Sequence, residues 1–92
     1  MADASQLVTI VNQRGLHARA SAKFVAMVSG LPDGVDVCVS KDSNHAAGGS
    51  ILGLMMLGAA KGDVVEIKVK GDGADNALIQ LVDLVAAGFG ED

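Results

Sequence analysis

His17 and Arg19 are the residues whose types and spacing offer chemistry. They lie in Arg14-Gly15-Leu16-His17-Ala18-Arg19-Ala20-Ser21-Ala22, where a glycine turn leads into an apolar-striped segment. An imidazole at such a point can act as a nucleophile toward phosphorus, and a nearby guanidinium is shaped to hold the oxygens of the group it receives. The same pair also suits a helix cap and a solvated surface charge, and spacing alone leaves both readings open.

Two elements must position this pair. Gln6 to Val11 is a run rich in Val, Ile and Thr that reads as a strand buried on both faces. Beyond the turn, Ala20, Phe24, Met27, Val28 and Leu31 recur on one helix face, and Gly30 with Pro32 marks the stop. His17 is therefore expected where a strand hands over to a helix. The first N–H groups of a helix have no intrahelical partner and carry partial positive charge, so this position attracts an anion.

Composition narrows the classes. A chain of 92 residues predicts one domain over residues 1–92 with one modest core. Only Phe24 and Phe89 are aromatic, which disfavours base stacking, and a formal charge of −4 argues against a nucleic-acid partner. Arg14, Arg19 and Lys23 nevertheless form a local basic corner that could steer an acidic protein surface toward His17. Cys38 is the single cysteine, so no intramolecular disulfide forms and no thiol-rich metal cage is expected. Ser43 to Ala60 carries no formal charge, but it is too short and too broken by glycine to span a membrane. The first residues lack the basic and apolar regions of a secretory signal, so a cytoplasmic location is expected.

The remaining elements follow in order. Val35, Val37 and Val39 alternate with Asp36, Cys38 and Ser40, the pattern of a half-buried strand, with Cys38 on its polar face. Asp42-Ser43-Asn44 predicts a turn into a short strand around His45 to Gly48, with His45 itself exposed in a loop and without the spacing of a metal ligand. Ser50 is expected to cap a short helix carrying Ile51, Leu52, Leu54, Met55, Met56 and Leu57. That helix is apolar nearly all round, so it is either wholly buried or leaves some of Ile51, Leu52, Leu54 and Met55 facing water as a docking surface. Gly53 to Gly58 lacks the Lys and Ser/Thr of a phosphate-binding loop. Val65, Ile67 and Val69 alternate with Glu66, Lys68 and Lys70 in another half-exposed strand. Ala74, Ala77, Leu78, Leu81, Leu84 and Val85 mark the face of a last helix that Gly88 and Gly90 end, with Asp72 and Asp75 near its start. The order β-α-β-β-α-β-α predicts an α+β two-layer domain, an antiparallel sheet covered by helices on one side.

Gly15 to Val25 (GLHARASAKFV) and Ser50 to Ile67 (SILGLMMLGAAKGDVVEI) together resemble the HPr family of histidine-containing phosphocarrier proteins of the bacterial phosphoenolpyruvate-dependent phosphotransferase system, over nearly the whole chain from Leu7 to about Ala87. The resemblance implies an open-faced β-sandwich, a four-stranded antiparallel sheet covered on one face by three helices. It implies a cytosolic, monomeric carrier rather than an enzyme, working without a cofactor or a metal. His17 would accept a phosphoryl group from the phosphohistidine of enzyme I and pass it to a histidine of enzyme IIA, with Arg19 as the phosphoryl clamp. Ser50 falls on the serine that HPr kinase/phosphorylase modifies in many members. Docking is expected to involve Arg14, Ala20, Lys23, Ile51, Leu52, Leu54, Met55 and Met56. Two positions depart from the family: Ala20 stands where proline is usual, which restores an N–H expected to contact the phosphoryl group or alter partner preference, and Arg14 stands where a small polar residue is common. The nitrogen-regulatory branch of the family, feeding a regulatory enzyme IIA, is the alternative function; a non-covalent anion-binding regulatory module is the alternative class.

Overall fold

The computed structural model describes residues 3–91. The elements are β1 (Asp3–Thr9), α1 (Ala18–Ser29), β2 (Asp36–Lys41), β3 (Asn44–Ala47), α2 (Ile51–Met56), β4 (Val64–Lys70) and α3 (Ala74–Ala86), followed by a 3-10 turn at Gly88–Gly90. The strands form one antiparallel sheet in the order β1-β4-β2-β3.

β4 is central, and its alternation dictates the layers. Val65, Ile67 and Val69 point into the core, where register sets them against Val8, Gln6 and Ala4 of β1 and, for Ile67 and Val69, against Val39 and Val37 of β2. Glu66, Lys68 and Lys70 take the opposite, uncovered face. The three helices close the core side: α3 buries Ala74, Ala77, Leu78, Leu81 and Val85, α1 buries Ala20, Ser21 and Phe24, and α2 buries Leu54. Leu84, expected on the inner face of α3, is only half-buried. The two phenylalanines, Phe24 and Phe89, are the largest fully buried side chains.

The expectation of a first strand buried on both faces is corrected. β1 is an edge strand paired only with β4, and because helices cover one face of the sheet, Leu7 opposite Glu66 is left 65% exposed. Full burial begins just after it, at Ile10. A second correction concerns the hairpin. His45 lies on β3 rather than in a loop, and it shields Ser40 on the outer face, whose Oγ sits 2.8 Å from His45 Nδ1. That neighbour is why a serine expected on a polar face is buried.

Ser50 caps α2 as expected, its Oγ accepting the Gly53 N–H at 2.9 Å. Ser50→Ala should therefore lower stability by about 1 kcal/mol, read as a fall in urea midpoint at unchanged slope; an unchanged midpoint would show that the cap contributes nothing. Of the two readings of α2, the structure gives the partly exposed one. Leu54 is in the core, while Ile51, Leu52, Met55 and Met56 are exposed.

Candidate functional site

The site is built by the turn between β1 and α1. Gly15 has φ +63°, and its backbone packs so closely on the loop before β4 that a Cβ there would come within 2.2 Å of the Ala59 carbonyl oxygen. The turn is closed by Gly15 N–H donating to Asn12 O at 3.3 Å, by Asn12 Nδ2 donating to Gly15 O at 2.9 Å, and by Leu16 N–H donating to Ala59 O at 2.9 Å. Ser21, fully buried, reaches back with its Oγ to Leu16 O at 3.2 Å. These bonds fix His17 as the N-cap of α1, with extended backbone angles of φ −75° and ψ −178°.

Both ring nitrogens of His17 have assigned partners. Nδ1 accepts the Arg19 backbone N–H at 3.3 Å, and Nε2 lies 2.6 Å from Glu91 Oε2. An acceptor at Nδ1 needs a lone pair there, so the proton of the neutral ring is on Nε2 and is donated to the carboxylate. The two side chains are each 15% exposed, so the pair is largely but not wholly shielded from solvent.

Glu91 reaches the site because the chain after α3 turns sharply through Gly88–Gly90, buries Phe89 at φ +57°, and is tied down by Lys23 Nζ donating to Phe89 O at 2.7 Å. The carboxyl of Glu91 is held below the usual carboxylate range, chiefly by the hydrogen bond from Asn12 and then by the hydrogen bond and charge of His17 and the charge of Lys23; partial desolvation opposes this. A depressed folded-state value means that the contact stabilises the docked tail above the ordinary glutamate value of about 4.3 and is lost as pH falls through the depressed one. Amide shifts of Gly88–Glu91 should therefore move together below about pH 4. Constant shifts down to the acid unfolding of the whole chain would contradict this.

Gln13, Arg14, Arg19, Lys23, Gly90 and Glu91 line a cleft of about 390 Å³ beside the imidazole. Among the described residues no side chain pairs with the Arg14 or Arg19 guanidinium, so both are free to take oxyanions. The basic corner thus exists in space as well as in sequence. Two expected docking residues are corrected: Ala20 and Leu54 are fully buried, because each is the core-facing residue of its helix, and neither offers surface to a partner. Asn12 and Glu91 are the site residues that local pattern did not indicate; Glu91 lies 74 positions from His17 and belongs to no motif with it.

The other candidate residues stand elsewhere. Ser50 begins α2, which packs beside α1. Cys38 is a free, half-buried thiol across from Lys68 on the uncovered sheet face. No helix of the described residues is long and apolar enough to cross a membrane.

A histidine thus caps a helix that packs, with two others, on one face of a four-stranded antiparallel sheet. A family model described as the PTS HPr component phosphorylation site matches residues 4–87. The chain is 44% identical to the phosphocarrier protein HPr of Neisseria meningitidis serogroup A over 94% of each chain. It is 32% identical to the phosphocarrier protein NPr of Escherichia coli K12 over 95% of this chain and 96% of that one. Among solved structures, HPr-C-His from Thermoanaerobacter tengcongensis superposes with a TM-score of 0.86 at 37% identity, covering 100% and 99% of the two chains. An HPr dimer from the same organism superposes at 0.74, with 39% identity over 91% of this chain and 94% of that one. The chain belongs to the HPr family of phosphocarrier proteins of the phosphotransferase system, which are carriers rather than enzymes.

Proposed function

We propose that this chain, as a single-domain cytoplasmic monomer, accepts a phosphoryl group on Nδ1 of His17 from the phosphohistidine of enzyme I and passes it to a histidine of an enzyme IIA domain. The observation that carries this reading is the direction of the imidazole. Nε2 is committed to Glu91, and the Nδ1 lone pair is offered to the N-terminus of α1. In the transfer the donor's P–N bond breaks and its electron pair returns to the donor ring, while the His17 lone pair forms the new bond. The incoming oxygens meet the partial positive charge of the helix start and the guanidinium of Arg19. One guanidinium and a few N–H groups stabilise the charge without holding it irreversibly, which a two-way relay needs.

Arg14 adds a second cation on the rim of the cleft, suited to an acidic partner surface. Ile51, Leu52, Met55 and Met56 supply exposed, adaptable apolar area on α2, the helix beside α1. Ser50, at the start of that helix, is the proposed target of HPr kinase/phosphorylase. A phosphate of about −1.5 to −2 charge at a helix N-terminus leaves the helix formed, and it opposes docking of an acidic or apolar surface.

The relay is tested by following labelled phosphoryl from phosphoenolpyruvate through enzyme I to this chain and on to a IIA domain. Label should appear on the chain and leave it when the acceptor is added; an unlabelled chain beside an active enzyme I would refute the reading. Likeness to an NPr supports the nitrogen branch as the second reading. The two readings differ in acceptor, so parallel transfer to a sugar-type and a regulatory IIA domain separates them.

A further inference from the structure

Resting on the carrier reading of His17, we propose that Glu91 and Asn12 form a positioning brace that holds the imidazole with its proton on Nε2, and that sets both how fast His17 takes the phosphoryl group and how long it keeps it. Three contacts make the brace: Asn12 Nδ2 to Gly15 O at 2.9 Å, Asn12 Nδ2 to Glu91 Oε1 at 3.0 Å, and Glu91 Oε2 to His17 Nε2 at 2.6 Å. Asn12 is 2% exposed and spends both amide hydrogens on these acceptors. Its Oδ1 is left buried without a partner. A buried orphan acceptor is a penalty that native packing ordinarily avoids. Here it accompanies an amide aimed at the one carboxylate that, among the described residues, reaches the ring.

The chemistry explains what such a brace would do. The Nδ1 lone pair attacks phosphorus, the P–N bond to the donor breaks with its electron pair, and the Nε2 proton stays in the hydrogen bond to Glu91. Positive charge therefore develops on the His17 ring as the new bond forms, and the carboxylate is the group placed to meet it. Among the described residues the other charged groups lining the cleft are Arg14, Arg19 and Lys23, all cations, none of which can stabilise positive charge on the ring. Without Glu91 the phosphorylated ring gives up its Nε2 proton more readily. A neutral phosphoimidazole holds its P–N bond longer. One residue thus speeds loading and shortens the stored lifetime.

The test is long-range ¹H–¹⁵N correlation of the histidine rings at a pH where both are neutral, on the wild-type chain, Glu91→Ala, Glu91→Gln and the isosteric Asn12→Asp. His45, tied to Ser40, serves as the internal reference. The wild type should show the proton on Nε2 of His17. Glu91→Ala should show mixed tautomers, be loaded about tenfold more slowly, as a fall in the kcat of enzyme I with its KM for this chain unchanged, and retain the phosphoryl group several-fold longer. Glu91→Gln keeps a hydrogen-bond acceptor and loses the charge, so it should restore the tautomer while keeping the longer lifetime. Asn12→Asp removes the donor to Glu91 and should shift the tautomer as Glu91→Ala does. Glu91 lies outside the core, so its variants report even if Asn12→Asp fails to fold. Wild-type nitrogen shifts and loading rate in Glu91→Ala would overturn the proposal. If enzyme I does not phosphorylate the wild type, the carrier reading falls, and the nitrogen spectra still decide whether the brace sets the tautomer.

Discussion

Replacing His17 by alanine is expected to abolish acid-labile phosphorylation of this chain, a loss on the order of 10³-fold or more, to the background of the assay. Among the described residues no second side chain can substitute. His45, the other histidine, sits on β3 with its Nδ1 against Ser40 Oγ at 2.8 Å, away from the start of α1. Phosphorylation on Ser50 would give an acid-stable ester, so it cannot be mistaken for the carrier bond. The fold should survive, because His17 contributes one N-cap bond and its loss costs about 1 kcal/mol. A His17→Ala protein that melts cooperatively and still gains an acid-labile phosphoryl group would remove His17 from the mechanism.

Gly15→Val should be strongly destabilising although it lies outside the core. A β-branched residue at φ +63° is strained by about 1–3 kcal/mol. Its Cβ would also lie 2.2 Å from the Ala59 carbonyl oxygen, which accepts the Leu16 N–H at 2.9 Å. Moving that carbonyl leaves a buried donor unpaired, for about 1–3 kcal/mol more. Together these give roughly 3 kcal/mol or more, against a total of about 5–15 for a domain of this kind. A fall in melting temperature of about 10–20 °C follows. Because Leu16 immediately precedes His17, phosphoryl acceptance should fall even well below the melting point. A melting temperature within about 2 °C of wild type would show that the loop yields freely and that the close approach does not position the site.

Local pattern read well wherever the deciding interactions were local. Val65, Ile67 and Val69 alternate strictly because β4 has a covered and an uncovered face, and Ser50 declares its cap because the bond it makes is three residues away. The turn at Gly15 was readable, whereas the reason only glycine fits is the loop at Ala59, which no spacing reports. β1 misled for a related reason: Leu7, Val8 and Ile10 are apolar whichever side they face, and the uncovered sheet face that exposes Leu7 is a property of the whole sheet. Ala20 and Leu54 stood in motifs associated with docking, yet each lies on the stripe its helix needs for the core. Glu91 and Asn12 were silent because their meeting depends on Phe89 burying itself and swinging the tail across the helix start. A distant carboxylate delivered by a buried aromatic leaves no periodic trace.

The most direct measurement is the intact mass of the chain after incubation with phosphoenolpyruvate and enzyme I, repeated after mild acid. The account predicts the gain of one phosphoryl group, its loss in acid, and no gain in His17→Ala, with Ser50→Ala behaving as wild type. No gain with an enzyme I shown to be active on its own carrier, or a gain that survives acid and requires Ser50, would contradict it.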